Sequence, residues 1–196
     1  MNAPLYDFAK TLVRVIAKVV WRARGSGAEN VPLEGPVIVA CNHISYLDPP
    51  VMGCFCPRRI SYMAKSELFA IPVLGPAIRA VGAYPVDRRG GAAAAIKRSL
   101  KVLRAGGPVG IFPEGTRNTS GEVEPQTGVA LLASLAGAPV VPACIRGSDR
   151  GRAFGRIDVA FGPPLRLPAG GKATRDDLAK FTVEIMRAIE RLAERL

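Results

Sequence analysis

Short apolar segments alternate with longer helical patterns along the chain, and this alternation limits the folds that it can adopt. Runs of mainly apolar residues, bounded by glycine or proline, lie at residues 36–41, 59–64, 108–112 and 139–145. Short continuous apolar runs of this kind are typical of strands that are buried on both faces. Helical patterns lie between them at residues 92–104 and 129–135. Strands that alternate with helices predict an α/β fold with a mostly parallel or mixed central sheet flanked by helices.

The length of the chain limits the number of domains. At 196 residues it is long enough to bury one substantial core but short for two. We therefore expect an N-terminal helix within residues 1–24, followed by a single domain over residues 25–196. Thr174 and Asp177 have the spacing of a helix capping box, and the apolar stripe that follows predicts a structural helix to the end of the chain.

The N-terminal segment predicts an amphipathic helix with two contrasting faces. Basic residues recur every four positions, at Lys10, Arg14, Lys18 and Arg22, and the other side is aliphatic and aromatic. Such a helix can lie in the headgroup region of a bilayer, where each cation near anionic lipid contributes about 1 kcal/mol. The alternative is a helix whose apolar face packs on its own domain. If the helix binds a bilayer, we expect its attachment to be peripheral and monotopic, because no apolar run approaches the ~20 residues needed to span one.

The charge of the chain favours anionic partners. Lys and Arg number 27 against 16 Asp and Glu, which gives a formal net charge of +11. This excess suits acidic lipid headgroups, phosphate groups or nucleic acid, so a basic nucleic-acid-binding domain is one alternative. Aromatic residues make up only 6% of the chain, however, and zinc-finger, RNP and GXXG motifs are missing from the sequence. We expect no nucleic-acid partner.

Cysteine and histidine usage argues against disulfides and metal sites. The four cysteines lie in apolar or proline-flanked segments without the paired spacing of a disulfide scaffold, and no signal peptide precedes them. This usage favours the reducing cytoplasm. His43 is the only histidine, and no Cys-x-x-Cys pair is present to join it in a zinc site. We expect no metal and no other cofactor.

The segment CNHISYLDPP at residues 41–50 follows a predicted strand and contains a candidate catalytic pair. Asp48 precedes a proline, as a helix N-cap often does, which places His43 in the turn between strand and helix. Asp48 can hold one ring nitrogen of His43 while the other faces a substrate, as a general base requires. Ser45 lacks a nucleophile-elbow context, so attack by the hydroxyl of the substrate is favoured. The alternative is a capping aspartate beside a histidine of purely structural role.

A second motif follows the strand predicted at residues 108–112. Glu114, Gly115, Thr116 and Arg117 lie at its carboxyl end, where ligands of open α/β sheets gather. The planar guanidinium of Arg117 suits a phosphate group. The Glu114 carboxylate can bind an acceptor hydroxyl or a nearby cation; the alternative is a turn with a local carboxylate cap.

These two motifs together give the chain a family resemblance. Asn42 and His43, with Asp48 five residues after the histidine, and the sequence FPEGTR at residues 112–117 are similar to motifs of the glycerolipid acyltransferases. This family includes the 1-acylglycerol-3-phosphate acyltransferases.

The resemblance extends over residues 30–147, with one departure. Residues 82–88 are similar to a family block that ends in arginine, here Arg88, and residues 140–142 are similar to a fourth block. The departure is Gln126, which stands where many relatives have lysine. This difference puts the identity of the acceptor in question more than the chemistry.

The resemblance implies roles for the motif residues within an acyltransferase domain, residues 25–196, of the glycerol-3-phosphate acyltransferase-like fold. His43 is the implied general base and Asp48 is its partner. The implied acceptor-binding residues are Asn42, Arg88, Glu114, Gly115, Thr116 and Arg117.

The implied reaction transfers a fatty acyl group from an acyl-CoA or acyl-carrier-protein thioester to the free hydroxyl of 1-acylglycerol-3-phosphate. The product is phosphatidic acid, an intermediate of phospholipid biosynthesis. The implied location is the cytoplasmic face of an anionic membrane. One alternative is an enzyme that acylates a different lysolipid. Another is a member of the family that binds lipid without catalysing acyl transfer. Every enzymatic hypothesis requires that the imidazole of His43 and the guanidinium of Arg117 face a common pocket and reach the same acceptor molecule.

Overall fold

Parallel strands dominate the structure, a computed structural model that describes residues 3–86, 91–118, 123–149, 155–168 and 173–196. The strands within these residues are β1 (Arg24–Ser26), β2 (Val37–Cys41), β3 (Ser61–Lys65), β4 (Ala83–Val86), β5 (Pro108–Ile111), β6 (Val140–Arg146) and β7 (Asp158–Phe161). They form one sheet in the order β1-β7-β6-β2-β5-β3-β4. β6 and β7 pair antiparallel, whereas the other neighbours pair parallel. The predicted α/β fold with a mixed sheet is confirmed.

Helices cover both faces of this sheet. They are α1 (Ala3–Trp21), α2 (Asp48–Phe55), α3 (Leu74–Ala80), α4 (Gly91–Arg104), α5 (Gly128–Ala136) and α6 (Arg175–Glu194). Strand β2 is buried along its whole length because its alternate residues enter two separate cores. Val39 packs with residues of α2 on one face, and Ile38 packs with residues of α4, α5 and α6 on the other. The closing helix α6 begins with the predicted capping box of Thr174 and Asp177.

The apolar runs predict β2, β3, β5 and β6, but the three remaining strands give no comparable signal. β1 has the sequence Arg-Gly-Ser and is exposed along its length, and β4 contains a proline. β7 begins with an aspartate, has only three apolar residues and pairs antiparallel with β6. Strands this short or this polar lack the apolar run that marks a buried strand, and tertiary pairing decides their conformation.

The predicted N-terminal helix is present as α1, and its apolar face points away from the domain. Leu5, Phe8, Leu12, Val15, Ile16 and Val19 are each exposed over 43–68% of their surface. The opposite side packs on α2 and the domain: Tyr6 is buried, and its hydroxyl accepts a hydrogen bond from the amide of Ile60. Lys10 donates to the carbonyl of Cys56 on the same side. The alternative in which the apolar face packs on the domain is therefore not what the structure contains.

None of the helices within the described ranges has both the length and the apolar character that a bilayer crossing requires. The predicted boundary between an N-terminal helix and a domain at residue 25 stays a prediction.

The fold generates a prediction about Gly110, which lies in β5 beneath the ring of Tyr62. A Cβ added at position 110 would lie 2.4 Å from Cε1 of Tyr62. We expect Gly110→Ala to lower the free energy of unfolding by about 1–3 kcal/mol, because overpacking forces neighbouring atoms apart. The measurement is urea denaturation followed by circular dichroism.

Gly128→Ala is the matched control, because a Cβ there would meet only Cδ1 of Ile96, at 3.9 Å. We expect Gly128→Ala to leave the unfolding free energy unchanged or to raise it slightly. Equal denaturation midpoints for Gly110→Ala and the parent chain would contradict the packing described for β5.

Candidate active site

The candidate site lies at the carboxyl edge of the sheet, where three parallel strands end side by side. β2 pairs in parallel with both β5 and β6. The segments that follow them, residues 42–47 after β2, 112–118 after β5 and 147–149 after β6, therefore emerge at the same edge. This edge is where open α/β sheets bind their ligands. Both sequence motifs are thus brought together by strand pairing.

His43 is held in a defined orientation in the turn after β2. Its Nδ1 lies 2.9 Å from Oδ2 of Asp48, and its ring stacks on Phe112 with centroids 4.2 Å apart. The side chain keeps 17% of its surface exposed. Because Nδ1 is engaged by a carboxylate, Nε2 is the nitrogen available to accept a proton from a ligand. The predicted pairing of His43 with Asp48 is present.

Asp48 is fully buried and accepts four hydrogen bonds, which is how a buried carboxylate avoids an uncompensated charge. Oδ2 accepts from Nδ1 of His43 and from the backbone amides of Ile44 and Ser45, the amides at 2.7 Å. Oδ1 accepts from the hydroxyl of Ser148 at 2.6 Å. The predicted N-cap role of Asp48 differs from the structure: Asp48 is the first residue of α2, and its side chain binds the turn before the helix.

Glu114 ties the loop after β5 to the turn that carries His43. The carboxylate is 5% exposed, and Oε2 accepts a hydrogen bond from the backbone amide of His43 at 2.7 Å. Oε1 accepts from the side-chain amide of Asn118, whose backbone amide donates to the carbonyl of His43. Burial raises the pKa of Glu114, whereas the hydrogen bonds from His43 and Asn118 act to lower it. In this arrangement both carboxylate oxygens face groups of the protein itself.

Asn42 performs a similar tie between β2 and β6. Its Oδ1 accepts a hydrogen bond from the amide of Ile145, and its Nδ2 donates to the carbonyl of the same residue, at 2.8 and 2.9 Å. Through these two hydrogen bonds, the Asn42 side chain binds the backbone of β6 just beyond the last residue of β2. The side chain predicted to bind substrate is thus engaged with backbone.

Arg117 lies at the open rim of this edge with Gly115 and Thr116, which are also exposed. Its guanidinium carbon lies 3.8 Å from the ring centroid of Tyr46, and its Nη2 donates to the Tyr46 hydroxyl at 3.0 Å. Stacking and a hydrogen bond together orient the planar group. Because Tyr46 belongs to the same turn as His43, the guanidinium and the imidazole lie at one edge of the sheet.

Two further residues bear on the predicted site. Arg88 lies outside the described residues. Gln126 lies beside the rim: its backbone amide donates to the carbonyl of Pro113, and its side-chain nitrogen would lie 3.0 Å from a Cβ added at Gly115. The Gly115 backbone has φ +66°, in the left-handed region that favours glycine.

Several residues of the site escaped the sequence reasoning. Tyr46, Asn118 and Ser148 support the predicted residues. Tyr46 contacts Arg117, Asn118 contacts Glu114 and the carbonyl of His43, and Ser148 contacts Asp48. Tyr46 lies inside the first motif and Asn118 directly follows the second, and this proximity is the one available sequence signal. Across the described segments of the chain, no three His, Cys, Asp or Glu side chains come together in a way that could hold a metal ion.

Comparisons with known proteins find similar sequences over most of the chain. A family model described as acyltransferase matches residues 22–146. The 1-acyl-sn-glycerol-3-phosphate acyltransferase of Bacillus subtilis is 32% identical over 197 residues, which cover 98% of each chain. The enzyme of the same name from Pseudomonas aeruginosa is 31% identical over 84% of this chain and 66% of its own.

A solved structure has a similar fold. The 1-acyl-sn-glycerophosphate (LPA) acyltransferase PlsC from Thermotoga maritima superposes with a TM-score of 0.74 at 27% identity, covering 98% of this chain and 80% of the other. The similarity therefore extends over the whole sheet and its flanking helices.

The buried Glu114 generates a prediction about stability and pH. Because the pKa of Glu114 is raised above its ordinary value of 4.5, its contribution favours folding at low pH. That contribution is lost as the pH rises through the folded-state pKa. We expect Glu114→Gln to gain stability relative to the parent as the pH rises from below 4.5 toward neutrality.

The measurement is urea denaturation of both chains at a series of pH values. Asp176→Asn is the matched control, because Asp176 is exposed at the start of α6 and lies apart from this edge of the sheet. If the stability of Glu114→Gln relative to the parent stays constant or falls as the pH rises, the assignment of a raised pKa to Glu114 is refuted.

Proposed function

Because the chain belongs to the acyltransferase family, we propose that it transfers a fatty acyl group from a thioester to the free hydroxyl of 1-acylglycerol-3-phosphate, giving phosphatidic acid. The chain is an O-acyltransferase. The observation that carries the proposal is the His43–Asp48 pair, held at the same sheet edge as Arg117. A base beside a phosphate-binding cation suits an acceptor that carries both a hydroxyl and a phosphate.

In the proposed mechanism, Nε2 of His43 takes the proton from the acceptor hydroxyl as its oxygen attacks the thioester carbonyl. The tetrahedral intermediate then collapses, the carbon–sulfur bond breaks, and the thiolate takes the proton back from the imidazolium. Asp48 fixes the ring and stabilises the imidazolium that forms between the two steps. General-base catalysis of this kind contributes about 10²- to 10⁴-fold in rate.

The acceptor hydroxyl, and no group of the protein, is the proposed nucleophile. Ser45 accepts a hydrogen bond from the amide of Leu47, and Ser148 is 2% exposed with its hydroxyl directed at Asp48. Among the described residues, neither hydroxyl forms a hydrogen bond with the His43 ring, which would have to take its proton for attack on the thioester. The proposed donor is an acyl-CoA or acyl-carrier-protein thioester, since the same carbonyl chemistry serves both.

The acceptor phosphate is proposed to lie at the rim formed by Gly115, Thr116 and Arg117. The guanidinium of Arg117 offers two parallel donors to phosphate oxygens, and Tyr46 holds its plane before the ligand arrives. Arg88 is proposed to supply a second cation. Asn42 and Glu114 are proposed to serve the acceptor indirectly, by holding the His43 turn in place.

Gln126 is the residue that favours testing a second acceptor class. It lies against Gly115 at the rim, and it is a neutral amide at a position beside the proposed phosphate site. A lysophospholipid without a terminal phosphate needs one cation fewer than lysophosphatidate. The alternative acceptor is therefore such a lysolipid, and a panel of acceptors with one labelled donor distinguishes the two.

The protein is proposed to act as a peripheral protein at the cytoplasmic face of an anionic membrane. The outward apolar face of α1 is formed by side chains that are exposed over 43–68% of their surface: Leu5, Phe8, Leu12, Val15, Ile16 and Val19. Ile71, Val73 and Leu74, at the start of the neighbouring α3, add exposed apolar surface, with Val73 exposed over 84% of its area. A net charge of +11 supplies attraction to acidic headgroups.

The first test of this proposal measures catalysis. With palmitoyl-CoA as donor, we expect lysophosphatidate-dependent release of free CoA, and we expect His43→Ala to lower kcat by about 10²- to 10⁴-fold. Arg117→Ala is expected to raise KM for lysophosphatidate about tenfold or more, because a charge-assisted contact to phosphate is lost. Arg104→Ala, a change to an exposed arginine of α4, is the control and is expected to match the parent.

Circular dichroism and thermal unfolding check that the variants are folded. A folded His43→Ala protein with the turnover of the parent would refute the role of His43. Transfer to lysophospholipids without a terminal phosphate, but not to lysophosphatidate, would replace the proposed acceptor with the second class.

A second test measures membrane binding through α1. We expect Phe8→Asp with Val19→Asp to reduce sedimentation with anionic phosphatidylglycerol vesicles about tenfold or more, because burial of these side chains contributes about 1.5–3 kcal/mol each. The control is Leu135→Asp with Val183→Asp, which places the same charges at exposed apolar residues of α5 and α6. Equal losses in the two double variants would argue against a membrane role for α1.

A further inference from the structure

We infer that Ser148 is a positioning residue of the acyl-transfer site, because its buried hydroxyl holds the Asp48 carboxylate in the orientation that presents His43 to its ligand. Ser148 lies outside both sequence motifs, in the segment that follows β6. It touches Asp48 and acts on the reaction only through the Asp48–His43 pair. The expected effect on the reaction rate rests on the proposed function, whereas the expected effect on the orientation of His43 depends only on the contact with Asp48.

The contact is short and buried at both ends. Oγ of Ser148 donates to Oδ1 of Asp48 at 2.6 Å, and the two residues are 2% and 0% exposed. A hydrogen bond to an ionised acceptor is stronger than one between neutral groups, and water does not compete for it here. The two residues are 100 positions apart, so the bond joins the turn after β2 to the segment after β6.

The distribution of donors on the carboxylate gives Ser148 its particular effect. Oδ2 receives three donors, from Nδ1 of His43 and the amides of Ile44 and Ser45. Ser148 donates to the other oxygen. Rotation of a carboxylate about its Cβ–Cγ bond has broad minima, so donors converging on a single oxygen leave the plane of the group weakly defined. A donor on Oδ1 fixes that plane and, with it, the direction in which Oδ2 meets the imidazole.

The chain around Ser148 is arranged to deliver this hydroxyl. Asn42 binds both the amide and the carbonyl of Ile145, which locks the end of β6 beside the end of β2. Gly147 follows with φ +84°, and a Cβ there would lie 2.1 Å from the carbonyl oxygen of Arg156. Glycine alone permits this bend without displacing backbone. The bend turns the next residue, Ser148, inward to Asp48.

The test combines two readouts. His43 is the only histidine of the chain, so a sample labelled with nitrogen-15 histidine gives ring signals that need no assignment. We expect Ser148→Ala to shift or broaden the Nδ1 proton signal of His43 in the ligand-free protein, and Ser148→Thr, which keeps a hydroxyl, to restore it. Thr182→Val is the matched control, because it removes a buried hydroxyl of α6 that bonds only within its helix.

The kinetic readout uses lysophosphatidate and palmitoyl-CoA. We expect Ser148→Ala to lower kcat about tenfold or more, the size that follows from losing one charge-assisted hydrogen bond, with KM for both substrates within about twofold of the parent. In a His43→Ala background, Ser148→Ala is expected to lower the residual rate no further, because residues that act as one unit are not additive. Thr182→Val is expected to leave kcat unchanged.

The outcomes separate this inference from the proposed function. A changed His43 signal in Ser148→Ala, restored by Ser148→Thr, supports positioning even if lysophosphatidate proves not to be the acceptor. An unchanged His43 signal overturns the inference whatever the acceptor is. A loss of rate that is equally large in the His43→Ala background, or equally large for Thr182→Val, also overturns it, because a general loosening of the fold would then account for the effect.

Discussion

A fully buried carboxylate organises the functional edge of this protein. Asp48 lies out of contact with water, and a charge in such a place is stable only when surrounding donors replace the water that it has lost. Its donors come from the turn after β2 and from the segment after β6. Because the Asp48 carboxylate needs these hydrogen bonds, the turn after β2 and the segment after β6 are held together. The same hydrogen bonds orient the imidazole of His43.

The parallel sheet makes this arrangement possible with short loops. Because β5, β2 and β6 run side by side in the same direction, their carboxyl ends meet without any long excursion. Side chains then join neighbouring ends: Glu114 joins the β5 loop to His43, and Asn42 joins β2 to Ile145. Polar residues that the motifs suggest as ligand contacts thus serve as ties between strands. Arg117 and Thr116, by contrast, remain exposed at the same edge.

Features of the structure that depend on residues close together in the sequence could be predicted, whereas those that depend on distant contacts could not. Strands such as β2 and β6 are buried on both faces and consequently read as apolar runs, so the core of the sheet is predictable. Spacing within the turn after β2 likewise predicts the His43–Asp48 pair. Ser148 was not predictable, because its bond to Asp48 spans 100 residues and a single serine after a strand carries no pattern. The outward direction of the apolar face of α1 also depends on packing against α2, which amphipathic periodicity does not reveal.

If the outward face of α1 binds the protein to lipid, as proposed, it also determines how the concentration of acceptor acts on turnover. An acceptor dissolved in the same leaflet is met by lateral diffusion in two dimensions, while a thioester donor arrives from the aqueous phase. The turnover rate then follows the mole fraction of acceptor in the surface and not the amount of lipid per volume of solution. Diluting the leaflet with inert lipid slows the encounter, although the amounts of protein and of acceptor in the sample stay the same.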